Sequence, residues 1–520
     1  MDLAIKLSML VVFFGIMIGV GFYCRKHSTD VNGFVLGGRS IGPWLTAFAY
    51  GTSYFSAVVF VGYAGQFGWK YGIAATWAGV GNAIIGSLLA WAVLGRRTRV
   101  MTQHLNSSTM PQFFEGRFHS KSVKLAASVI IFVFLIPYTA SLYNGLSRLF
   151  EMAFHIDYSV CVIVMAVLTG IYVIAGGYMA TAINDFIQGI IMLVGIIAVI
   201  VAVLNGQGGM TESVNALSQV TDPAVSSTPG AFSSLFGPDP VNLMGVVLLT
   251  SMGTWGLPQM VQKFYAIKNE KAINKGMIIS TIFALVVAGG CYFLGGFGRL
   301  FSDQIDIAAN GYDSIIPTML SDLSPFLMGI VVILVLSASM STLSSLVLTS
   351  SSTLTLDFIK GNLCKKLSEK KQLLIIRILI AVFIAISVVI AIVQYKSNVT
   401  FIAQLMGVSW GALAGAFLAP FLYGLYWKRT STASVWVCFL FSTVVMLLNI
   451  VKADLFPAIL RSPINAGVFC MLAGLVIVPV VSLFTKPPKK EHVQAVFSCY
   501  DKKPVVSAID TTGDSINEEE

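Results

Sequence analysis

The chain has 520 residues, of which 56% are hydrophobic and 11% charged, with a mean hydropathy of +0.82 and a formal net charge of +9. That composition excludes an ordinary water-soluble globular protein. Apolar runs of about twenty residues or more recur from end to end, continuous rather than alternating, which excludes a β-barrel and requires helices, because lipid offers no partner to an unpaired backbone group.

In chain order, thirteen spans are predicted near residues 3–23, 41–68, 71–95, 123–147, 156–177, 179–204, 240–262, 276–298, 324–356, 374–395, 398–426, 430–451 and 463–485. The first lacks a basic leader and a small-residue cleavage site and carries Met17 and glycines in its middle, so it reads as a retained helix and not a signal peptide. The second is interrupted at mid-depth by Gly51, Thr52, Ser53, Tyr54, Phe55 and Ser56. The seventh is interrupted by Gly253, Thr254, Trp255, Gly256, Leu257 and Pro258. The two interruptions lie five spans apart, as equivalent helices of an inverted five-helix repeat would, and paired broken helices point to a transporter's midplane site. Such residues also serve helix packing and kinks, which is the competing reading.

Between the sixth and seventh spans, residues 205–239 are rich in Gly, Ser and Thr and contain no lysine or arginine, as a linker would. The ninth span holds the densest run of hydroxyls: Ser337, Ser339, Ser341, Thr342, Ser344, Ser345, Thr349, Ser350, Ser351 and Ser352. Ala338, Ser341, Thr342 and Ser345 stand at i, i+3, i+4 and i+7, on one helix face. Two adjacent hydroxyls with carbonyls freed at a helix break could hold a hard monovalent cation without burying a charge; a packing stripe accounts for the pattern equally well. Asp185 is the one carboxylate well inside a predicted span, an expensive placement that marks a functional candidate, with a helix-capping role near the interface as the alternative. From Lys486 the composition turns to Lys, Pro and Ser and ends in three glutamates, as a disordered tail does.

Assigning alternate loops to two sides leaves all but seven of the 33 lysines and arginines on one of them; the seven are Lys6, Lys70, Arg148, Arg299, Lys396, Lys452 and Arg461. The positive-inside rule makes the rich side cytoplasmic, with the N-terminus outside and the C-terminus inside. The positive charge therefore needs no nucleic acid. The seven cysteines show no disulfide framework or metal-ligand spacing, and all five histidines fall in loops or the tail.

Four segments in this order resemble the sodium:solute symporter family, in particular its proline and pantothenate branch: FVLGGRSIGPW (Phe34 to Trp44), TMPQFFEGRF (Thr109 to Phe118), IAGGYMATAINDFIQG (Ile174 to Gly189) and MSTLSS (Met340 to Ser345). The resemblance runs over roughly residues 5–485 and implies an all-α integral membrane protein of the leucine-transporter type. In that organisation residues 1–40 are a peripheral first helix and cytoplasmic loop, and 41–204 the first inverted repeat. Residues 205–239 are an exterior loop, 240–426 the second repeat, 427–485 two peripheral helices, and 486–520 the tail.

Carried over residue by residue, the resemblance implies a sodium site made by the carbonyls of Thr52, Phe55 and Ala338 and the hydroxyls of Ser341 and Thr342, with Asp185 as the acid near the ion's exit. It implies a solute site among Ser53, Tyr54, Tyr138, Gly253, Thr254, Trp255 and Pro258. The chain departs from the proline-type pattern at Tyr54, where those members carry a carboxylate, and at Thr254, where a tyrosine is expected. The resulting expectation is a plasma-membrane secondary transporter, not an enzyme, that couples sodium entry to uptake of a small organic solute such as an amino acid, vitamin or carboxylate. Its rivals are proton coupling through Asp185, a membrane enzyme and a channel; the last two lack a catalytic cluster or a repeated filter motif in the sequence.

Overall fold

The structure, a computed structural model, describes residues 2–501 apart from 155 and 398–401. The start of the expected eleventh span and residues 502–520 of the expected tail lie outside the described residues. The described residues are helical, with two isolated bridges, Ile41 with Ile267 and Asp222 with Ser226, in place of any sheet.

Ten helices among the described residues are long and apolar enough to cross a membrane, or eleven if a bent pair counts as one span. Two of the ten, Val58–His104 with 47 residues and Tyr158–Gly206 with 49, are about twice the length one bilayer crossing takes. Ten or eleven separate long helices among the described residues thus leave the expected thirteen spans unconfirmed. Tyr158–Gly206 is not straight: Gly177 has φ 56° and ψ −147°, a conformation that suits glycine, and a Cβ there would lie 2.8 Å from the Phe34 carbonyl and ring. This kink falls at the expected boundary between the fifth and sixth spans.

The helices that matter below are α1 (Asp2–Cys24), α2 (Pro43–Tyr54), α3 (Lys121–Phe154), α4 (Tyr158–Gly206), α5 (Pro240–Met252), α6 (Pro258–Ala266), α7 (Pro325–Thr353), α8 (Glu369–Ser397), α9 (Ile402–Tyr426) and α10 (Lys490–Phe497). Hydroxyl-rich α7 is the axle of the bundle: every residue from Val331 to Thr353 is buried except Ile333. By contrast α8 leaves Leu374, Ile378, Val389 and Val393 exposed, as a helix facing lipid does. Where Gly68 meets Gly295 the backbones touch, and a Cβ on Gly68 would lie 2.0 Å from the opposing carbonyl, so that crossing needs a residue without a side chain.

Two segments are better ordered than their composition suggests. The linker expected at 205–239 contains the helix Met210–Gln219 and is packed down: Leu217 and Phe232 are buried, the Phe232 carbonyl accepts from Ile73 N at 2.9 Å, and Arg299 pairs with Asp222 at 2.9 Å. Within the stretch expected to be disordered from Lys486, residues 490–497 form α10. Val493, Val496 and Phe497 are buried, His104 bonds the Ala495 carbonyl, and the Arg97 guanidinium lies 4.6 Å from the Tyr500 ring. Polar composition hid both because only a few apolar side chains, such as Leu217, Phe232, Val493 and Phe497, anchor them.

Candidate functional site

Both interruptions are breaks. Helix α2 stops at Tyr54, Phe55 is extended at φ −101° and ψ 102°, and the chain resumes as a π-helix at Val58–Tyr63. In the seventh span α5 runs through a short 3-10 turn at Gly253–Trp255, Leu257 is extended, and Pro258 opens α6 as its first residue. The two halves meet at 42°. Proline suits that place, since the first N–H of a helix has no internal partner. A helix also leaves its last four carbonyls without one, so the end of α2 offers free oxygens in the interior.

One of those oxygens, the Thr52 carbonyl, accepts from the Ser341 hydroxyl at 3.1 Å and the Thr342 hydroxyl at 3.2 Å. The same hydroxyls lie 3.2 and 3.1 Å from the Ala338 carbonyl. Four of the five oxygens expected of the ion site therefore converge, all on buried residues. Around a hard cation with oxygens at about 2.4 Å, neighbouring ligands stand about 3.4 Å apart, so these four sit within a few tenths of an ångström of a ligand shell. Phe55 lies just past the end of α2 and its N–H donates to the Gly51 carbonyl at 3.1 Å; among the described residues the Ser341 and Thr342 hydroxyls bond the Thr52 and Ala338 carbonyls and not that of Phe55. Ser344 turns away and bonds the Ser341 carbonyl at 2.9 Å.

One turn further along α7, Ser345 meets Ser53 at 2.8 Å and accepts from Lys263 Nζ at 3.0 Å. Lys263 was expected in a cytoplasmic loop. The structure places it on α6, 2% exposed, with its ammonium 3.8 Å from Asp185 Oδ2 and 5.2 Å from the Tyr178 ring centroid. The cause is that α6 runs past the predicted end of the seventh span at 262, as far as Ala266. Asp185 caps no helix; it lies within α4, fully buried, while its neighbour Asn184 bonds the Met17 carbonyl at 3.2 Å. Ser53, expected to face solute, thus belongs to a chain of polar groups leading from the oxygen cluster to a buried ion pair.

The remaining solute candidates divide into two groups. Tyr54, Thr254 and Trp255 commit their polar atoms to backbone: Tyr54 OH donates to the Thr250 carbonyl, Thr254 Oγ1 to Gly86 at 3.1 Å and to Ser251 at 2.9 Å, and Trp255 Nε1 to Ile85 at 3.0 Å. Tyr138 on α3 is buried; its hydroxyl, the Ser56 hydroxyl and the Trp410 indole N–H make no hydrogen bond of good geometry among the described residues, but the three lie close enough to interact with one another. Tyr138 and Trp410 stand edge to face at 5.9 Å, and Trp410 stacks on Tyr54 at 6.0 Å. A Cβ on Gly253 would lie 2.8 Å from the Trp410 ring, so the second break also borders this group. Sequence reasoning missed Trp410. The signal was available, because a tryptophan in the middle of a span is far from the interface where tryptophans gather.

The other two shared segments act as clamps on the basic side. Arg39 donates to the carbonyls of Tyr265 at 3.2 Å and Ser107 at 2.5 Å; Arg117 donates to Gly424 at 2.8 Å and Trp427 at 2.9 Å. Burial pushes both guanidiniums down to about 10, helped for Arg39 by Arg99 nearby, which leaves both charged at neutral pH. Thr109 and Gln112 hold Asp357 through both carboxylate oxygens, at 2.6 and 2.9 Å. Asp357, just past the predicted end of the ninth span, is a second fully buried acid that the sequence reading did not single out.

A multi-pass helical bundle with two broken helices and an oxygen cluster at one break has the architecture of a membrane transporter. Residues 34–440 match the sodium:solute symporter family, and the chain belongs to that family. The osmoregulated proline transporter OpuE of Bacillus subtilis is 27% identical over 92% of this chain and 94% of its own, and a sodium/proline symporter of Staphylococcus aureus (strain JH9) is 31% identical over 82% of each. Among solved structures, a sodium-coupled sialic acid symporter in a substrate-bound outward-open state superposes with a TM-score of 0.72 at 16% identity, covering 94% of this chain and 99% of that one. That likeness extends the agreement to the whole fold.

Proposed function

We propose that the chain is a sodium-coupled importer of a small zwitterionic or neutral organic solute, working by alternating access. The observation that carries the reading is the convergence of the Thr52 and Ala338 carbonyls with the Ser341 and Thr342 hydroxyls at a helix break. In this reading the Phe55 carbonyl joins the shell once the ion is bound. The solute occupies the space between the breaks, held by Tyr138, Trp410 and Ser56, whose polar atoms cluster together and make no well-formed hydrogen bond among the described residues. Tyr54, Gly253, Thr254, Trp255 and Pro258 shape the walls. Among the described residues the charges beside the cluster, Lys263 and Asp185, are turned to each other, which disfavours selection of a strongly anionic solute. Two relatives are named for proline transport, which supports an amino-acid-sized solute.

The proposal includes thirteen passes, with each of the two overlong helices crossing twice, inverted repeats at 41–204 and 240–426, the N-terminus outside and the C-terminus cytoplasmic. Residence in the plasma membrane follows, since the coupling needs a sodium gradient. One sodium ion crossing about 100 mV releases about 2.3 kcal/mol, and a tenfold gradient adds about 1.4 kcal/mol, enough for several-hundred-fold accumulation of a neutral solute at a one-to-one ratio. The test is uptake into proteoliposomes of a panel of amino acids, sugars, carboxylates and vitamins under an imposed sodium or proton gradient. Uptake that follows pH and ignores sodium would replace this reading with proton coupling through Asp185.

A further inference from the structure

A groove of about 650 Å³ opens between α1, the first half of α4 and α8, on the outer surface of the bundle. Phe22, Gly170, Ile171 and Ala385 form its walls, with Phe22 and Ile171 exposed. Its floor is closed where α1 presses on α4, a Cβ at Gly21 standing 2.9 Å from the Tyr172 backbone. Two arginines line the same groove, Arg25 from the end of α1 and Arg377 from the first turns of α8, both at the basic side of the molecule. Neither forms an ion pair among the described residues. The Nε of Arg377 is buried without a hydrogen-bond partner, and its guanidinium lies over the Phe34 ring at 5.4 Å.

Two like charges beside an apolar trough, one of them partly desolvated and short of an acceptor, call for an anion that carries hydrocarbon with it. We infer that this groove binds one anionic glycerophospholipid of the leaflet on the arginine- and lysine-rich side, its phosphate bridged by Arg25 and Arg377 and an acyl chain lying along Phe22, Ile171 and Ala385. The guanidinium fork matches phosphate oxygens, and basic pockets between transmembrane helices on that side are suited to lipid headgroups.

The test uses the full chain, purified in detergent and titrated with phosphatidylglycerol or phosphatidylcholine in mixed micelles, with bound lipid counted by native mass spectrometry. The wild type is expected to bind phosphatidylglycerol at least tenfold more tightly than phosphatidylcholine. Arg25→Gln with Arg377→Gln should erase that preference, a loss in the range expected for charge-assisted hydrogen bonds. Ala385→Trp, a change at an exposed position that fills the trough, should weaken both lipids, and keeps the question answerable if the arginine variant folds poorly. Arg429→Gln, on the same side but outside the groove, should change nothing. Equal binding of the two lipids by the wild type, or an unaltered preference in the double variant, would overturn the inference. So would displacement of the lipid by millimolar inorganic phosphate, which would mark a plain phosphate site.

Discussion

Lys263 and Asp185, 78 positions apart in sequence, lie with their charged atoms 3.8 Å apart and side chains 2% and 0% exposed. The distance is an ion pair's and too long for a hydrogen bond. The contact that completes the ammonium's shell is Ser345, from the same helix that carries Ser341 and Thr342. The pair therefore ties the half-helix after the second break to the helix of the oxygen cluster and to α4.

Removing one partner leaves the other charge buried and alone. Lys263→Ala should lower stability by about 3–5 kcal/mol, whereas Lys263→Met combined with Asp185→Asn should cost much less, because no uncompensated charge remains. Thermal unfolding in detergent with and without sodium reads both. Equal losses in the single and double variants would mean that the two residues do not act as a pair.

A second prediction concerns pH and the packed loop. Asp222 accepts from the Ala224 N–H at 2.9 Å and from Arg299 at 2.9 Å, and these two contacts, the backbone one first, hold its carboxyl below the usual aspartate range. A depressed carboxylate stabilises the folded arrangement above its ordinary value of about 3.9, and that contribution disappears as pH falls through the lower folded value. The loop should stay docked from neutral pH to about pH 4 and loosen below it, seen as faster hydrogen exchange at Ile73, whose N–H bonds the Phe232 carbonyl. Asp222→Asn should loosen the loop at neutral pH and flatten the pH dependence. A profile identical in wild type and variant would remove Asp222 from the account.

Much of this was legible in the sequence, and what escaped did so for definable reasons. The breaks at 51–56 and 253–258 stood out because two clusters of Gly, Ser, Thr or Pro recur at mid-depth five spans apart, a spacing that helix packing alone does not require. The stripe of Ser341 and Thr342 followed from helix periodicity alone. Lys263 escaped because a lysine just past an apolar run reads as an interface residue; only the burial of α6 by its neighbours makes it internal. Trp410 escaped although a mid-span tryptophan is a usable signal, and Ser56 stands in the sequence only as part of the break, because its nearness to Tyr138 is decided by three-dimensional packing. The span boundaries blurred where the chain runs on through 3-10 and π-helical turns, as between Val58 and His104, so that the expected second and third spans share one long helical stretch.

For the solute, the polar atoms of Tyr138, Ser56 and Trp410 give sharper variants than the wall residues do. Tyr138→Phe should raise the solute concentration for half-maximal uptake by about 5- to 100-fold, the weight of one hydrogen bond of 1–3 kcal/mol, while sodium affinity measured without solute stays unchanged. Thr254→Ser, which keeps the bonds to Gly86 and Ser251, should leave uptake nearly intact, whereas Thr254→Trp should abolish solute binding by filling the break. If Tyr138→Phe moves nothing and Thr254→Ser is damaging, the solute lies on the Gly86 side of the break instead.

The oxygen cluster supports the most exacting prediction. Ser341 and Thr342 each supply one hydroxyl within 3.2 Å of both the Thr52 and Ala338 carbonyls, so each deletion removes one oxygen and leaves the rest in place. A buried cation deprived of one ligand loses on the order of 1–3 kcal/mol. At 1.4 kcal/mol per tenfold, Ser341→Ala and Thr342→Ala should each raise the sodium concentration for half-maximal uptake by at least about 5-fold and by up to about 100-fold. Linkage between ion and solute then requires that apparent solute affinity weaken at low sodium and recover at high sodium. Ser344→Ala is the control, because that hydroxyl is spent on the Ser341 carbonyl and points away from the cluster. Thr342→Ser should restore most of the affinity, since it returns the oxygen without the methyl. Sodium titrations of uptake in proteoliposomes separate the outcomes: if Ser344→Ala is as harmful as Thr342→Ala, or Thr342→Ser rescues nothing, the hydroxyls serve helix packing and the coupling ion binds elsewhere.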